Sequence, residues 1–452
     1  MLGIKESILS SNNALGVNLK EINMMYNKIQ IRGYKYLFMF LMVMWVARTT
    51  PLTSFKMGEN PILASVYISI LIYYFSKYCK RGVHPLLLFL VLFCLWYACI
   101  CFKYGGLQNI NFTFIYSIII VHVAFNILNR YEFVLFYEDI IVKLSIISLI
   151  VWMLVNVFPT TMPRFMHSIA VYENHPPTET NSIIVGMGSQ IIMGIRRNIG
   201  FTWEPGRFSC FILLALFFNL IRNKFSLSIK KNKNLYVLLL TLISTLSTTG
   251  YGVFGVIVLF YYLNVQTTSK IALSILVVTL FPSIIALSFM EDKMVSLLDM
   301  DSEIKSIEYH YREGTEIVCP QRFAGLYFEF QNFIHDFWFG YNKEMNSWIN
   351  HTLFRGVIVT STQGLIPSKN GILMGLFFYY WLWKSSKLMS KAYHYKGSYI
   401  FMVLFMLINI SYDFWENCIF MYFYFSAFYN HFSEHYFYFS DTKKISKSNG
   451  PY

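Results

Sequence analysis

The chain has 452 residues, of which 56% are hydrophobic and only 13% are charged. Soluble globular domains carry about 25% charged residues, so this composition excludes an ordinary soluble enzyme and indicates a protein embedded in lipid. The net charge of +13 would suit nucleic acid if the basic residues shared one face. They form short clusters between apolar runs instead, which excludes a nucleic-acid partner and is typical of charges that set membrane topology.

The apolar runs predict an all-α fold, a polytopic membrane helical bundle of about 12 transmembrane helices. Residues 1–33 form a polar, lysine-containing segment before the first run, which therefore predicts a retained anchor and no cleaved signal peptide. A membrane span needs about 20 residues, so several apolar cores need flanking residues to complete it. The predicted cores are 34–47, 61–75, 85–102, 111–128, 140–158, 208–221, 235–246, 253–265, 271–289, 371–383, 398–410 and 418–429.

The seventh and eighth cores are predicted to be two helices and not one. A single helix over 235–265 would measure about 46 Å at 1.5 Å per residue, too long for one upright span of roughly 30 Å. The sequence Ser-Thr-Thr-Gly-Tyr-Gly at 247–252 predicts a tight turn between them. Basic residues precede the pair from Arg222 to Lys233, and Lys270 follows it. Two crossings keep both basic ends on one side of the membrane.

The distribution of lysine and arginine predicts that both termini lie on the cytoplasmic side of a membrane that the chain crosses many times. This topology leaves two long loops on the outer side, and long loops in compact proteins are often functional. The predicted units are a cytoplasmic segment 1–33, transmembrane helices 1–5 over 34–158, outer loop 1 over 159–207, transmembrane helices 6–9 over 208–289, outer loop 2 over 290–370, transmembrane helices 10–12 over 371–430 and a cytoplasmic tail 431–452.

The first long loop ends in arginines directly before a predicted helix. Arg196, Arg197 and Arg207 surround Glu204 and Pro205, and proline suits the first turn of a helix. A helix N-terminus presents free N–H groups and partial positive charge, and a guanidinium can donate two parallel hydrogen bonds to a phosphate. The segment predicts an anion site at the outer membrane boundary. The alternative is that Glu204 caps the helix and pairs with an arginine, while the other arginines mark the boundary.

The second long loop combines aromatic residues with scattered arginines and histidines. Its segment 322–340, which begins at Arg322, is apolar and aromatic with few charges, and it predicts one or two amphipathic helices against the membrane surface. His351 is the first histidine candidate for catalysis because it lies next to the predicted re-entry into the membrane. His335, beside Asp336, is the second. For each histidine a structural role is the competing interpretation.

Three segments, taken in order, carry a resemblance to a known family. They are Arg197-x-x-Gly200-x-x-x-Glu204-Pro205 before a helix; Leu246-Ser247-Thr248-Thr249-Gly250 between two helices; and Arg322 followed by Phe339-Gly340, Asn350-His351 and Gly371-Ile372-Leu373-Met374-Gly375. Their order within this topology resembles the oligosaccharide-repeat-unit polymerases of the Wzy type and the related O-antigen ligases. The resemblance covers most of 196–383, and the first 130 residues match only as a run of spans.

The resemblance implies a glycosyltransferase without metal or cofactor that acts on undecaprenyl-diphosphate-linked glycans, in contact with membrane lipid. It also implies a place in the bacterial inner membrane, with both long loops in the periplasm. In a polymerase of O-antigen or capsule, the growing chain leaves its lipid diphosphate and joins the non-reducing end of a new lipid-linked unit. Glu204 or His351 would orient or deprotonate the acceptor hydroxyl. The arginines that would bind the diphosphate are Arg196, Arg197, Arg207 and Arg322. A chain-length regulator protein is a further implied partner.

Three alternatives are weighed against the polymerase. O-antigen ligases show a clearer His-Asn pair, whereas this chain has Asn350-His351, which favours a polymerase and weakens the role of His351. A metal-dependent glycosyltransferase would need acidic residues in its first outer loop, where this chain has only Glu59 as a hard anionic ligand. A flippase should carry ionisable residues inside its spans, for which Lys143 and His122 are the candidates. Lys143 can extend to the cytoplasmic face, and His122 suits packing.

Overall fold

The structure is a computed structural model in which part of the chain is described. The described residues are 33–46, 69–70, 72–74, 76–77, 84–105, 112–169, 172–173, 179–181, 184–192, 194–265, 305, 309, 322–341, 347, 350, 362–412, 414 and 417–432.

The described chain is mostly helical. Its helices are α1 (Gly33–Val46), α2 (His84–Lys103), α3 (Phe112–Ile127), α4 (Arg130–Val157), α5 (Thr161–Ser168), α6 (Pro205–Arg222), α7 (Lys233–Ser244), α8 (Thr248–Asn264), α9 (Arg322–His335), α10 (Thr362–Tyr393), α11 (Ile400–Ser411) and α12 (Cys418–Phe432). Short strands lie between α5 and α6: β1 (Tyr172–Glu173), β2 (Glu179–Asn181), β3 (Gly186–Gly188), β4 (Ile191–Ile192) and β5 (Ile195–Arg196).

Within the described residues, three helices are long and apolar enough to cross a membrane. They are Pro85–Lys103 in α2, the whole of α4 and the whole of α6. Shorter apolar helices occur in α1, α3, α7 and α11. Helices lie at ten of the predicted cores; the core 61–75 is described only at a few helical residues, and the core 271–289 lies outside the described residues. The chain is therefore a mostly helical membrane protein.

The prediction of two helices over 235–265 is confirmed. α7 ends at Ser244 and α8 begins at Thr248, and Leu246 between them has a positive φ of 47°. The Ser247 side chain caps α8 by accepting a hydrogen bond of 3.1 Å from the Gly250 N–H. Because of this cap, Gly250 lies inside the first turns of α8, and the break comes earlier than the predicted turn.

The helices α4 and α10 begin well before their apolar cores. α4 begins at Arg130, because Asn129 and Glu132 form a capping box in which each side chain binds the other residue's N–H, at 2.8 and 3.0 Å. α10 begins at Thr362, inside the predicted second loop. Gly371, with φ 80° and ψ 170°, divides it close to the predicted start of the tenth span.

The strands depart from the all-α prediction. β1, β2 and β3 form an antiparallel sheet in which Tyr172 pairs with Asn181 and Glu179 with Gly188, and β4 pairs with β5. Each strand has only two or three residues, and β3 is Gly-Met-Gly. Strands this short show no apolar alternation, which is the signal by which a sequence predicts them.

The core is centred on α6, whose residues are almost all buried. Aromatic side chains join it to its neighbours. Tyr137 of α4 lies 5.5 Å from Phe218, Phe217 stacks on Phe260 of α8 at 4.9 Å, and Phe218 lies 5.4 Å from Phe423 of α12, all between ring centroids. α6 is therefore fixed on several sides, which positions the loop that leads into it.

The outer helices present apolar side chains away from the core. Val91, Leu95 and Phe102 of α2 are exposed, and so are Ile150 and Met153 of α4. Large apolar patches on soluble monomers are limited to a few hundred Å², so apolar surface along whole helices suits a lipid environment.

A buried ion pair joins α4 to the C-terminal end of α6. Glu138 is completely buried, and its carboxylate accepts hydrogen bonds from Arg222 Nε at 2.6 Å and Nη2 at 2.8 Å. Asn219 Nδ2 also donates to this carboxylate at 2.8 Å, and the Asn219 and Asn232 amides exchange hydrogen bonds of 2.9 and 2.7 Å. The bidentate geometry and the added amide donor satisfy the buried carboxylate with hydrogen bonds.

The two ionisable residues that a flippase would use both have partners in the protein. Lys143 Nζ lies 2.8 Å from Asp139, one helical turn away on the exposed side of α4. His122 is buried, and its Nδ1 lies 3.2 Å from the Tyr429 hydroxyl. These contacts favour the surface and packing roles for the two residues.

Candidate functional site

The end of the first long loop lies across the end of the bundle where α4 and α7 end and α6 and α8 begin. Arg196 is fixed there by its main chain: its carbonyl accepts a 2.6 Å hydrogen bond from Trp152 Nε1, and its N–H donates to Asn156 Oδ1 at 2.8 Å. Both partners belong to the last turns of α4. The Arg196 guanidinium is half-buried, and its Nη1 donates to the Gly188 carbonyl at 3.4 Å.

Arg197 is held at the junction of α7 and α8. Its Nε donates a 3.0 Å hydrogen bond to the Thr245 carbonyl at the C-terminal end of α7, and its Nη1 donates to the side chain of Gln190. A helix C-terminus carries partial negative charge and carbonyls without intrahelical partners, so a guanidinium is stabilised there. These contacts fix a half-exposed cation directly beside the start of α8.

Asn198 connects this loop to two helices. It is buried, and its Nδ2 donates to Ser244 Oγ at 2.9 Å and to Ser148 Oγ at 3.2 Å. Its Oδ1 accepts the Gly200 N–H at 3.0 Å, and its own N–H donates to the Ser244 carbonyl at 3.0 Å. Asn198 was not among the predicted site residues. Because Asn198 directly follows Arg197 and is itself anchored to α4 and α7, it sets the position of Arg197.

Gly200 allows the loop to turn into α6. Its φ is +59°, and a Cβ at this position would lie 2.4 Å from the Phe208 ring. An alanine could therefore occupy neither the backbone conformation nor the space without displacing Phe208. This is the physical reason for the glycine in the Arg197-x-x-Gly200 pattern.

Glu204 is the N-cap residue of α6, as its place before Pro205 predicts. Its φ and ψ are −145° and 141°, and its main-chain carbonyl accepts the Phe208 N–H at 3.1 Å. The side chain makes no capping hydrogen bond; its Oε1 accepts a 2.8 Å hydrogen bond from the Tyr412 hydroxyl instead. The turn after α11 therefore orients the carboxylate. The alternative in which the Glu204 side chain caps α6 did not predict this contact.

Gly206 makes room for Tyr412. A Cβ on Gly206 would lie 1.9 Å from the Tyr412 hydroxyl oxygen, so any side chain there would displace the hydroxyl from Glu204. Tyr412 was not predicted as a site residue. Its only sequence signal is its place in a short turn between two apolar helices.

Two helix N-termini lie side by side at this site. Ser209 of α6 and Ser247, the N-cap of α8, have hydroxyl oxygens 3.4 Å apart, and a Cβ on Gly250 would lie 2.8 Å from Ser209 Cβ. Each N-terminus carries about half a positive charge. The contact therefore adds the start of α8 to the predicted anion site, next to Arg197.

Arg207 is directed towards the end of α1 and not towards Arg197. It is buried, its Nη2 donates a 3.2 Å hydrogen bond to the Val46 carbonyl at the end of α1, and its Cζ lies 4.7 Å from the centre of the Phe414 ring. A cation at a helix C-terminus and over an aromatic face stabilises packing. These contacts favour a structural role; diphosphate binding by Arg207 stays a prediction.

The predicted residues of the second loop are only partly described. Arg322 is the first residue of α9, and its side chain lies outside the described part of the chain. His351 also lies outside the described residues, whereas the preceding Asn350 is buried and donates to Ser347 Oγ at 2.9 Å. His335 ends α9 and is exposed. The neighbouring Asp336 forms an ion pair with Lys103.

The segment after α9 is joined to α10 and to the end of α2. The Tyr341 N–H donates to the Ser368 carbonyl at 3.0 Å, and the Ile372 N–H donates to the Phe337 carbonyl at 2.9 Å. The Tyr104 hydroxyl, just beyond α2, donates to the Gly340 carbonyl at 2.6 Å. Burial raises the pKa of Tyr104, so it remains a neutral donor at physiological pH.

Among the described residues, no group of three or more His, Cys, Asp or Glu side chains could hold a metal ion. Comparison with known proteins finds no protein-family model, no curated protein and no solved structure that matches this chain. The class of this protein therefore rests on its fold and its site. It is a mostly helical membrane protein with arginines and a carboxylate at two adjoining helix N-termini.

Proposed function

We propose that this protein is a polymerase of undecaprenyl-diphosphate-linked oligosaccharide repeat units that acts on the periplasmic face of the bacterial inner membrane. In this proposal the chain crosses the membrane about 12 times with both termini in the cytoplasm. The long loops 159–207 and 290–370 then face the periplasm, where lipid-linked O-antigen or capsule units are joined.

The observation that carries the proposal is the position of Arg197 and Glu204 at the adjoining N-termini of α6 and α8. Arg197 is fixed at Thr245, two residues before the N-cap of α8, and Glu204 is the N-cap of α6. Two helix N-termini and a guanidinium provide positive potential for a diphosphate, and the carboxylate beside them can accept a proton. A glycosyl transfer from a diphosphate needs both groups.

The reaction breaks the bond between the anomeric carbon of the growing chain and the diphosphate oxygen. A bond forms between that carbon and the hydroxyl oxygen of the incoming unit. The electron pair of the broken bond goes to the diphosphate, whose added charge Arg197, Arg196 and Arg322 stabilise. The hydroxyl proton goes to Glu204, which the Tyr412 hydroxyl holds in place, or to His351.

The test replaces Arg197 in the full chain and examines the glycan of the producing strain by gel electrophoresis. Arg197→Ala is expected to reduce long-chain glycan by about 100-fold or more, which is the typical effect of removing one donor to developing negative charge. Single repeat units should still reach the surface. Arg197→Lys should restore less than about a tenth of the polymer, because the ammonium cannot form the planar fork.

Arg164→Ala is the matched control, because Arg164 is exposed on α5 of the same loop. It should leave the ladder of chain lengths unchanged. Arg322→Ala should behave as Arg197→Ala does. A full ladder in both Arg197→Ala and Arg322→Ala would refute the proposal. Loss of single repeat units as well as long chains would point to a ligase or a flippase.

A further inference from the structure

The helix α9 buries a carboxylate and an amide against the protein, while several of its large apolar side chains are exposed. Glu329 and Asn332 are fully buried, and Glu329 accepts hydrogen bonds from Tyr341, at 3.3 Å, and from Ser368. Phe330 on the opposite face is 57% exposed. A helix on the surface of a soluble protein has the reverse arrangement, with its apolar stripe facing the core.

The exposed apolar residues form one stripe along α9 and the turn that follows it. We define the α9 stripe by its members, Tyr327, Phe330, Ile334, Phe337 and Trp338, all of which are exposed. Spacings of three and four residues place Tyr327, Phe330 and Ile334 on one side of the helix, and Phe337 and Trp338 follow in the turn after it. Gln331 and His335 lie along one edge of the stripe and give it a polar border.

The α9 stripe continues into the outward face of α10. The Ile372 N–H bonds to the Phe337 carbonyl, and the next outward residues of α10, Leu373 and Leu376, are exposed. Half-exposed side chains of this size contribute on the order of 100 Å² each, so the α9 stripe presents about 500 Å² of apolar surface. That area lies at the upper end of what a soluble monomer exposes, before α10 is added.

The position of α9 along the membrane follows from its contact with α2. Lys103 ends the span-length helix of α2 and pairs with Asp336, directly after α9. The preceding residue, Phe102, is 91% exposed and apolar, as a side chain in contact with lipid would be. A basic residue directly after an apolar span marks the level of the lipid headgroups. The C-terminal end of α9 is therefore held at the membrane boundary.

We propose that α9 is an interfacial helix whose α9 stripe binds the acyl chains of the adjacent lipid leaflet. Gln331 and His335 lie at the edge of the stripe that faces water, and Glu329 and Asn332 are buried against the protein. Helices with an apolar face of this kind lie in the plane of the interface, sunk about 5–10 Å into the boundary of headgroups and acyl chains. This inference requires only that the chain is a membrane protein and is independent of the proposed reaction.

The first experiment uses the full chain reconstituted in vesicles that contain radiolabelled phosphatidylethanolamine. Phe330 is replaced by the photoreactive p-benzoylphenylalanine, and the label that transfers from lipid to protein is measured after illumination. The same replacement at Phe328, two residues away but buried, is the matched control. Lipid labelling is expected to be at least tenfold higher at Phe330 than at Phe328.

The second experiment measures access from water with less disturbance of the fold. Phe330→Cys and His335→Cys are treated with a membrane-impermeant maleimide in vesicles, and modification is followed by mass spectrometry of the α9 peptide. The rate is expected to be at least tenfold lower for Phe330→Cys, although both side chains are exposed. Equal rates at both positions, equal lipid labelling at Phe330 and Phe328, or crosslinking of Phe330 to a second copy of the chain would each overturn the inference.

Discussion

Breaking the buried pair of Glu138 and Arg222 should destabilise the fold by an amount that depends on which partner is replaced, because the two side chains are buried to different extents. The Glu138 side chain has no exposure, whereas that of Arg222 is 33% exposed. Arg222→Gln leaves a buried carboxylate without its cation, a change that costs about 3–5 kcal/mol in buried pairs. Glu138→Gln leaves a guanidinium that can turn to solvent along its alkyl stem, and the loss should be only about 1–2 kcal/mol.

The assay is the unfolding of the full chain by SDS in mixed micelles, followed by circular dichroism. The double variant Glu138→Gln/Arg222→Gln should recover most of the loss, with a coupling energy of at least about 2 kcal/mol. Lys143→Gln breaks the exposed pair with Asp139 and is the matched control, with an expected effect under about 1 kcal/mol. The reasoning fails if Arg222→Gln is no more costly than Glu138→Gln.

The same double variant separates an enzyme from a transporter. If Glu138 served as a coupling group inside the bundle, the double variant would regain stability without regaining surface glycan. If the pair only holds α4 against α6, the glycan ladder should return together with stability.

Three further variants test the site and the break in α10. Gly371→Ala should destabilise the fold by about 3 kcal/mol, because φ is 80° and the new Cβ would lie 2.1 Å from the Trp338 carbonyl oxygen. The control Gly252→Ala lies in a helix with open space around it and should be neutral or stabilising in the same SDS titration. Asn198→Ala should cost about 2–3 kcal/mol, since it removes buried hydrogen bonds to two serines, and no loss in that titration would contradict its anchoring role. Tyr412→Phe removes the donor to Glu204 and should lower polymer formation about tenfold without a change in SDS unfolding, whereas unchanged polymer would separate Glu204 from the reaction.

The sequence by itself determined the membrane character and the positions of most helices. Apolar runs report burial in lipid or core directly, and the basic flanks of 235–265 were enough to predict the break that the structure places between Ser244 and Thr248. The start of α6 was also predictable, because proline and glutamate have local preferences at a helix N-terminus. These signals depend on neighbouring residues only.

The tertiary structure decided which of those residues meet. Glu204 and Tyr412 are 208 residues apart, and Arg207 contacts a helix end 161 residues before it. No local preference encodes such pairs, since they arise from the packing of α1, α6 and α11 around one end of the core. For the same reason the sequence predicted one role for both Arg197 and Arg207. The fold places Arg197 beside the start of α8 and buries Arg207 against the end of α1.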